Sequence, residues 1–200
     1  MSKMTKYGQT ASTLWGPHYL TRCAGNLDGI EVSLHSLPRP LEREFHHVFH
    51  ERNLNLDQYR GQNDDGVQFL AIPTNQHARE DLVATGQHVE QEKDRLLNLF
   101  FRVATEVTEK LRKLGYWADY IDPCSGLPML TPNCNKVYSE VDGMECCLGY
   151  KSYNAGFCKI LTHPTWGSAV YPATMFTYAP PSVVIQILEE YPRLEEKEGR

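Results

Sequence analysis

Several patterns that would assign a function directly are missing from this 200-residue sequence. None of the six cysteines forms a C-x-x-C pair, which argues against a zinc ribbon and a thioredoxin-type redox centre. Neither G-x-G-x-x-G nor G-x-x-x-x-G-K occurs, so the common phosphate-binding loops are absent. No uninterrupted apolar run approaches the roughly 18 residues that a membrane-spanning helix needs. The sequence therefore contains no common phosphate-binding loop, no C-x-x-C zinc motif and no membrane-spanning run.

Positive charge is also scarce. The chain has 20 Lys and Arg residues against 25 Asp and Glu residues, which gives a formal net charge of -5. No run of basic residues accompanies aromatic side chains, as a nucleic-acid surface would require. We therefore expect neither a nucleic-acid partner nor a membrane partner.

The N-terminus lacks the apolar core of a secretory signal, so we expect the cysteines to be reduced thiols. The lack of a secretory signal predicts a cytoplasmic location. A mitochondrial location is the alternative, because residues 1–27 contain Lys, Ser and Thr but no Asp or Glu.

The length and the 41% hydrophobic content predict one domain with a sizeable core. Residues 1–27 show no hydrophobic period and are interpreted as a flexible arm that docks through Leu14, Trp15 and Tyr19. Residues 28–191 form the predicted domain, and residues 192–200 form an acidic tail.

Hydrophobic periodicity predicts an α+β domain with a mostly antiparallel sheet and one long helix. The helix covers residues 88–114, where apolar residues recur at intervals of three and four. Shorter helices are predicted at 41–50 and 182–191. The predicted strands cover residues 30–34, 67–72, 116–121, 136–140, 157–162 and 168–178.

The most distinctive segment follows the long helix directly. It reads Gly115-Tyr-Trp-Ala-Asp-Tyr-Ile-Asp-Pro-Cys-Ser-Gly-Leu-Pro-Met-Leu130. Gly115 is typical of a helix C-cap, and the run from Asp122 to Gly126 is typical of a tight turn with Pro at its second position. Asp119 and Asp122 are expected to accept backbone N–H groups, with a catalytic carboxylate pair as the alternative.

Two further clusters are candidates for chemistry. Glu42, His46 and His50 share a helical face, which we interpret as a solvated polar face with a zinc site as the alternative. Cys158 and His163 lie five residues apart on a predicted strand and should point to opposite faces, which argues against a nucleophile and base pair.

The remaining thiols are placed differently. Cys146, Cys147 and Cys158 flank a Gly- and Asn-containing connection that we expect to join two strands at an exposed edge. An exposed thiolate is a ligand suited to a soft metal centre. These three cysteines are therefore the candidate cofactor ligands.

A family resemblance is carried by the segment Gly115 to Leu127 together with Leu148-Gly-Tyr, Cys158-Lys-Ile, His163 and Trp166-Gly167. These residues resemble the cobalamin-trafficking family of methylmalonic aciduria and homocystinuria type D, often called CblD. The similarity covers roughly residues 28–190.

The resemblance implies a non-enzymatic adaptor with a nitroreductase-like fold that has no flavin. It also implies that the chain binds no cofactor alone and shares cobalamin with a partner, a cobalamin-processing chaperone of the CblC type. Methionine synthase is a second candidate partner. The cofactor would be directed to methionine synthase and to methylmalonyl-CoA mutase.

One position departs from the family pattern. The resemblance implies that family members have two adjacent cysteines after the glycine that matches Gly156 and that the first ligates cobalt, whereas this chain has Phe157-Cys158. Either the chain meets cobalamin without a thiolate, or another thiol takes this role, with Cys147 and Cys146 as the nearest candidates and Cys158 as the third. Few residues precede the predicted domain, so we expect the cytosolic role to dominate.

Partner contacts are expected along residues 137–158, and the candidate residues are Tyr138, Asp142, Leu148, Tyr150 and Phe157. The alternative function is a flavin- or cobalamin-dependent oxidoreductase of nitroreductase type.

Overall fold

The computed structural model describes residues 11–20, 30–49 and 66–198. Within these ranges the strands are β1 Ser12–Tyr19, β2 Ile30–Ser36, β3 Gln68–His77, β4 Trp117–Tyr120, β5 Lys151–Ala155, β6 Cys158–Thr162 and β7 Val170–Ala179. The helices are α1 Arg39–His46, α2 Gln87–Lys113, α3 Glu140–Leu148 and α4 Pro181–Glu198, and a 3₁₀ turn, His47–Phe49, follows α1.

Five strands form one antiparallel sheet in the order β1-β2-β3-β7-β4. The long strands β3 and β7 lie at its centre and pair without interruption from Gln68 with Ala179 to His77 with Val170. Strands β5 and β6 form a separate two-stranded hairpin. The predicted α+β class with a mostly antiparallel sheet and one long helix is confirmed, whereas the nitroreductase likeness stays an expectation.

Both faces of the sheet are covered. Helices α2 and α4 pack on one face, where the apolar stripe of α2 and alternate residues of the strands form the larger core. Helices α1 and α3 lie on the other face and enclose a second core rich in aromatic rings. Glu31, Ser33 and His35 point away from the α2 core but are buried as well, so the half-buried strand predicted at 30–34 is buried on both sides.

The edge at β4 is protected by the chain that follows it. The backbone N–H of Met129 donates to the carbonyl of Tyr120 at 3.0 Å, and that of Asp122 donates to the carbonyl of Leu127 at 2.9 Å. The segment around residues 127–129 thereby occupies hydrogen-bonding groups that an open edge would present to another chain.

The predicted flexible arm needs correction. Ser12–Tyr19 is a strand that pairs with β2, and Leu20 is buried in the larger core. Leu14 and Tyr19 are partly exposed, while Trp15 packs against the core. Residues 1–10 and 21–29 lie outside the described residues. Gly16 and Pro17 in its middle hid this strand, because both residues are uncommon inside strands and Pro is found mainly on edge strands.

Three other boundaries also differ. Residues 136–140 are not a strand: they lead into helix α3, whose first turn is capped by the Ser139 hydroxyl, the acceptor for the Asp142 N–H at 3.3 Å. Strand β3 continues through Pro73, which the prediction took as its end. Helix α4 extends to Glu198 and takes in most of the predicted acidic tail.

Candidate functional site

The distinctive segment after α2 is built around one buried carboxylate. Gly115 has a φ of +89°, as the predicted C-cap requires, and Asp119 on β4 is fully buried. Asp119 accepts hydrogen bonds from the backbone N–H groups of Tyr120, Met129, Leu130 and Thr131 and from the Thr131 hydroxyl. This carboxylate therefore closes the loop back onto the strand.

Asp122 organises the turn itself. Its carboxylate accepts the N–H of Cys124 at 3.0 Å, the N–H of Ser125 at 3.2 Å and the Ser125 hydroxyl at 2.6 Å. The expectation that both aspartates bind backbone N–H groups is confirmed. All of these contacts lie within residues 119–131, so both carboxylates hold the segment together.

The β5–β6 hairpin exposes two side chains of interest. Ala155 pairs with Cys158, so Gly156 and Phe157 form its two-residue turn. Gly156 adopts a φ of +60°, which a side chain would disfavour. Phe157 is fully exposed and Cys158 is exposed beside it. The hairpin therefore presents an aromatic ring and a thiol at its tip.

Helix α3 holds the stem of this hairpin. Lys159 Nζ lies 2.6 Å from Asp142 Oδ1 and 2.7 Å from Glu145 Oε2. The Ser152 hydroxyl also donates to Glu145. One cation on β6 thus bridges two carboxylates on successive turns of α3, and the carboxylate of Asp142 is engaged within the chain.

Two of the predicted ligands, Cys146 and Cys147, are not at an exposed edge. Both lie on helix α3 and are buried in the second core. Burial, with nearby carboxylates, raises the pKa of Cys146 to about 11. Burial, the neighbouring Cys146 and Glu140 raise the pKa of Cys147 further. The exposed-edge prediction was wrong for this pair because the residues before the hairpin form a helix packed on the sheet, not a strand.

The five predicted partner residues differ in exposure. Tyr138 is buried, and its ring contacts those of Phe45 and Phe176 at centroid distances of 5.3 Å. Leu148 and Tyr150 are half-buried, and only Phe157 is fully exposed. Their roles in partner binding stay predictions.

His163 is not a partner for Cys158. Its Nδ1 accepts the N–H groups of Thr165 and Trp166, and its Nε2 faces the carboxylate of Glu31 at 3.5 Å. The argument against a nucleophile and base pair is confirmed. Sequence reasoning missed Glu31 and Lys159, because an isolated charged residue in a strand pattern is usually solvated.

The metal alternative is only partly covered by the structure. Glu42 accepts a hydrogen bond from the Tyr178 hydroxyl at 2.9 Å, and His50 lies outside the described residues. Over residues 11–20, 30–49 and 66–198, no group of three His, Cys, Asp or Glu residues is arranged to hold a metal ion. Over the same ranges, no helix has the length and apolar character needed to cross a membrane.

Comparisons with known proteins agree on one family. A sequence model of the family "Methylmalonic aciduria and homocystinuria type D protein" matches residues 1–188. The chain is 32% identical over 151 residues to "Cobalamin trafficking protein CblD" of Rattus norvegicus, 31% identical over 153 residues to that of Homo sapiens and 30% identical over 152 residues to that of Gallus gallus. These matches cover 75 to 76% of this chain and 47% of each relative, so the chain spans about half their length. They give no support to the oxidoreductase alternative.

Proposed function

This chain belongs to the methylmalonic aciduria and homocystinuria type D protein family, and we propose on that basis that it acts in cobalamin trafficking. It works as a non-enzymatic adaptor that docks a cobalamin-loaded chaperone of the CblC type. The cofactor then passes to methionine synthase and methylmalonyl-CoA mutase. Support comes from the names of the relatives, and the geometry of the β5–β6 hairpin suggests how docking occurs.

The single observation that carries the docking proposal is the exposure of Phe157 at a hairpin tip. Large aromatic side chains supply much of the affinity at protein interfaces, and a short turn holds its ring at low entropic cost. The stem is held on α3 by Lys159, which bridges Asp142 and Glu145. Phe157 is thus an aromatic anchor presented on a supported stem.

Cys158 is the thiol that fits cobalt ligation. A thiolate is a soft ligand, and the thiol must reach the metal and release its proton to solvent as the bond forms. Cys158 is exposed, whereas Cys146 and Cys147 are buried with a raised pKa. Replacement of a Cys-Cys pair by Phe-Cys therefore leaves one accessible thiol at the tip.

The docking proposal is tested by titrating the chain into a cobalamin-loaded chaperone under reducing conditions. Phe157→Ser should raise the Kd for the loaded chaperone by about tenfold or more, as expected for loss of an aromatic anchor. Leu114→Ser is a matched control, because Leu114 is 60% exposed at the end of α2, on another element. Absence of binding by the unchanged chain, or equal weakening by both substitutions, would reject docking through the hairpin.

The ligand proposal has a separate readout. Cys158→Ser should abolish any change that the chain causes in the electron paramagnetic resonance spectrum of cob(II)alamin on the partner. Cys146→Ser should leave that change intact. A spectrum unaffected by Cys158→Ser would remove the thiolate contact while leaving the adaptor role in place.

A further inference from the structure

The direction of the β5–β6 hairpin is not set by strand pairing with the main sheet. Throughout the described part of the chain, its two strands pair only with each other. The stem rests on a small apolar cluster of Met144, Leu161 and Val170. Apolar contact has no preferred direction, so polar contacts must define how the hairpin points.

Lys159 and Ser152 make one set of these contacts with α3, and a second set converges on Glu31 of β2. Tyr150 lies directly before β5, and its hydroxyl donates to Glu31 Oε1 at 3.0 Å. His163 lies directly after β6, and its Nε2 is 3.5 Å from the same oxygen. The Tyr150 and His163 rings also meet edge to face at 5.0 Å. One carboxylate oxygen therefore joins the entry and the exit of the hairpin to the sheet.

The hydrogen bonds of His163 fix its tautomer. Its Nδ1 accepts the N–H of Thr165 at 3.1 Å and that of Trp166 at 3.2 Å, so this nitrogen carries no hydrogen. The ring hydrogen is then on Nε2, the nitrogen that lies 3.5 Å from Glu31 Oε1. A neutral His163 can therefore donate to the carboxylate.

A ring stack adds a second tie to the sheet. The ring of His163 stacks on that of Trp166 with 3.8 Å between centroids. The ring of Trp166 stacks on that of His77 of β3 with 4.9 Å between centroids. Glu31 and His163 are 9% and 7% exposed, so water competes little for their contacts. The site thus combines buried polar contacts with ring stacking at the base of an otherwise exposed hairpin.

We propose that Glu31 is a positioning residue that fixes the direction of the β5–β6 hairpin by holding Tyr150 and His163. Glu31 thereby determines where Phe157 and Cys158 are presented. The use of that tip rests on the proposed function, whereas the holding of the hairpin does not.

The proposal is tested on the free chain, without partner or cobalamin, by double electron–electron resonance. Spin labels are attached to Cys158 and to Arg102→Cys, an exposed position on α2, after Cys23→Ser, Cys124→Ser and Cys134→Ser. Glu31→Ala should broaden the distance distribution by about twofold or more, since the base contacts are lost. Glu31→Gln should preserve a narrow distribution, because its amide oxygen accepts the same two hydrogens.

Two further variants keep the test decisive. If Glu31→Ala fails to fold, Tyr150→Phe removes one of the two donors while keeping the ring, and it should also broaden the distribution. Glu189→Ala removes a different carboxylate, the exposed acceptor for Trp15 Nε1 at 3.3 Å, and should leave the distribution unchanged. Narrow distributions with an unshifted mean in both Glu31→Ala and Tyr150→Phe would overturn the positioning role of Glu31.

Affinity for the loaded chaperone separates this inference from the proposed function. Broadening together with weaker binding supports positioning for docking, and Glu31→Gln should restore both. Broadening with unchanged binding overturns the link to docking and still supports the positioning role of Glu31. If Phe157→Ser does not weaken binding, the docking proposal fails. The distance distributions still decide whether Glu31 positions the hairpin.

Discussion

At the scale of single residues, Asp119 shows how one buried carboxylate can shape a loop. It is fully buried and accepts four backbone N–H groups and one hydroxyl. Each donor belongs to the chain between residues 120 and 131. These hydrogen bonds satisfy donors that would otherwise lack partners next to the core. They also offset the free-energy cost of burying the carboxylate.

Asp119→Asn should destabilise the fold by about 3 kcal/mol, because the introduced NH₂ group faces donors instead of accepting from them. Urea unfolding measures the change. Asp122→Asn is the control: its turn is exposed, so the expected loss is about 1 kcal/mol or less. Equal losses for the two substitutions would contradict the special role given to Asp119.

His35 gives a prediction about pH. Its Nε2 lies 2.8 Å from the Ser33 hydroxyl, and its burial lowers the pKa from 6.5 to about 4. Between these values the unfolded chain binds a proton that the folded chain does not, so the free energy of unfolding falls as pH falls. His35 should account for a loss of about 2 kcal/mol between about pH 7 and about pH 5.

The measurement compares urea unfolding of the unchanged chain and His35→Gln at both pH values. Other titrating groups are common to the two proteins, so the difference in their pH dependence isolates His35. The same pH dependence in both proteins would show that His35 does not titrate as described.

Residue types alone separated the thiols poorly. The sequence does not distinguish the three candidate thiols, Cys146, Cys147 and Cys158. Their neighbouring residues predicted that all three flank one exposed connection. The structure buries the first two and exposes the third. A thiol's chemistry depends on its solvation, which the local sequence does not specify.

At the scale of elements, helix α3 supports the hairpin and fills the second core. It was missed because Gly143 interrupts its apolar positions and because its nine residues are too few for a clear period. Its start signal, Ser139 followed by acidic residues, was present in the sequence. The helix is stabilised mainly by packing, which propensity does not report.

Gly143 is the point of closest packing between α3 and Tyr138. An added Cβ would overlap the Tyr138 hydroxyl and lie 2.7 Å from Cζ. Alanine would gain up to about 1 kcal/mol of helix propensity, but the overlap costs more, so Gly143→Ala should destabilise by about 2 kcal/mol net.

A double-mutant cycle with Tyr138→Phe checks this explanation. Removing the hydroxyl oxygen should recover part of the loss in the double variant, measured by urea unfolding. If the two substitutions are additive, the overlap with the hydroxyl is not the cause.

At the scale of the whole molecule, strand β1 completes the sheet. It covers the edge of β2, and the Leu20 N–H that follows it donates to the carbonyl of Ile30 at 3.0 Å. Trp15 reaches Glu189 on α4, so this strand also contacts the last helix. The fold therefore joins the first described strand to helix α4.

Removal of residues 1–20 should lower the free energy of unfolding by roughly 3 kcal/mol or more, because Leu20 loses its burial and β2 loses its neighbour. Removal of residues 1–10 alone serves as the comparison and isolates the part due to 11–20. A loss under about 0.5 kcal/mol for the longer deletion is what a flexible arm would give, and it would contradict the placement of β1.

The sequence by itself determined the α+β class, the long helix α2, the central strands and the role of Asp119 and Asp122. These features depend on local patterns: a repeated apolar spacing, a glycine after a helix, and a carboxylate beside a turn. Only the tertiary structure decided which of the three candidate thiols is exposed, that residues 12–19 complete the sheet, and that Glu31 meets both ends of the hairpin. The reason is that each of these depends on contacts between residues far apart in the chain, such as Glu31 with Tyr150, and burial by distant elements leaves no local pattern in the sequence.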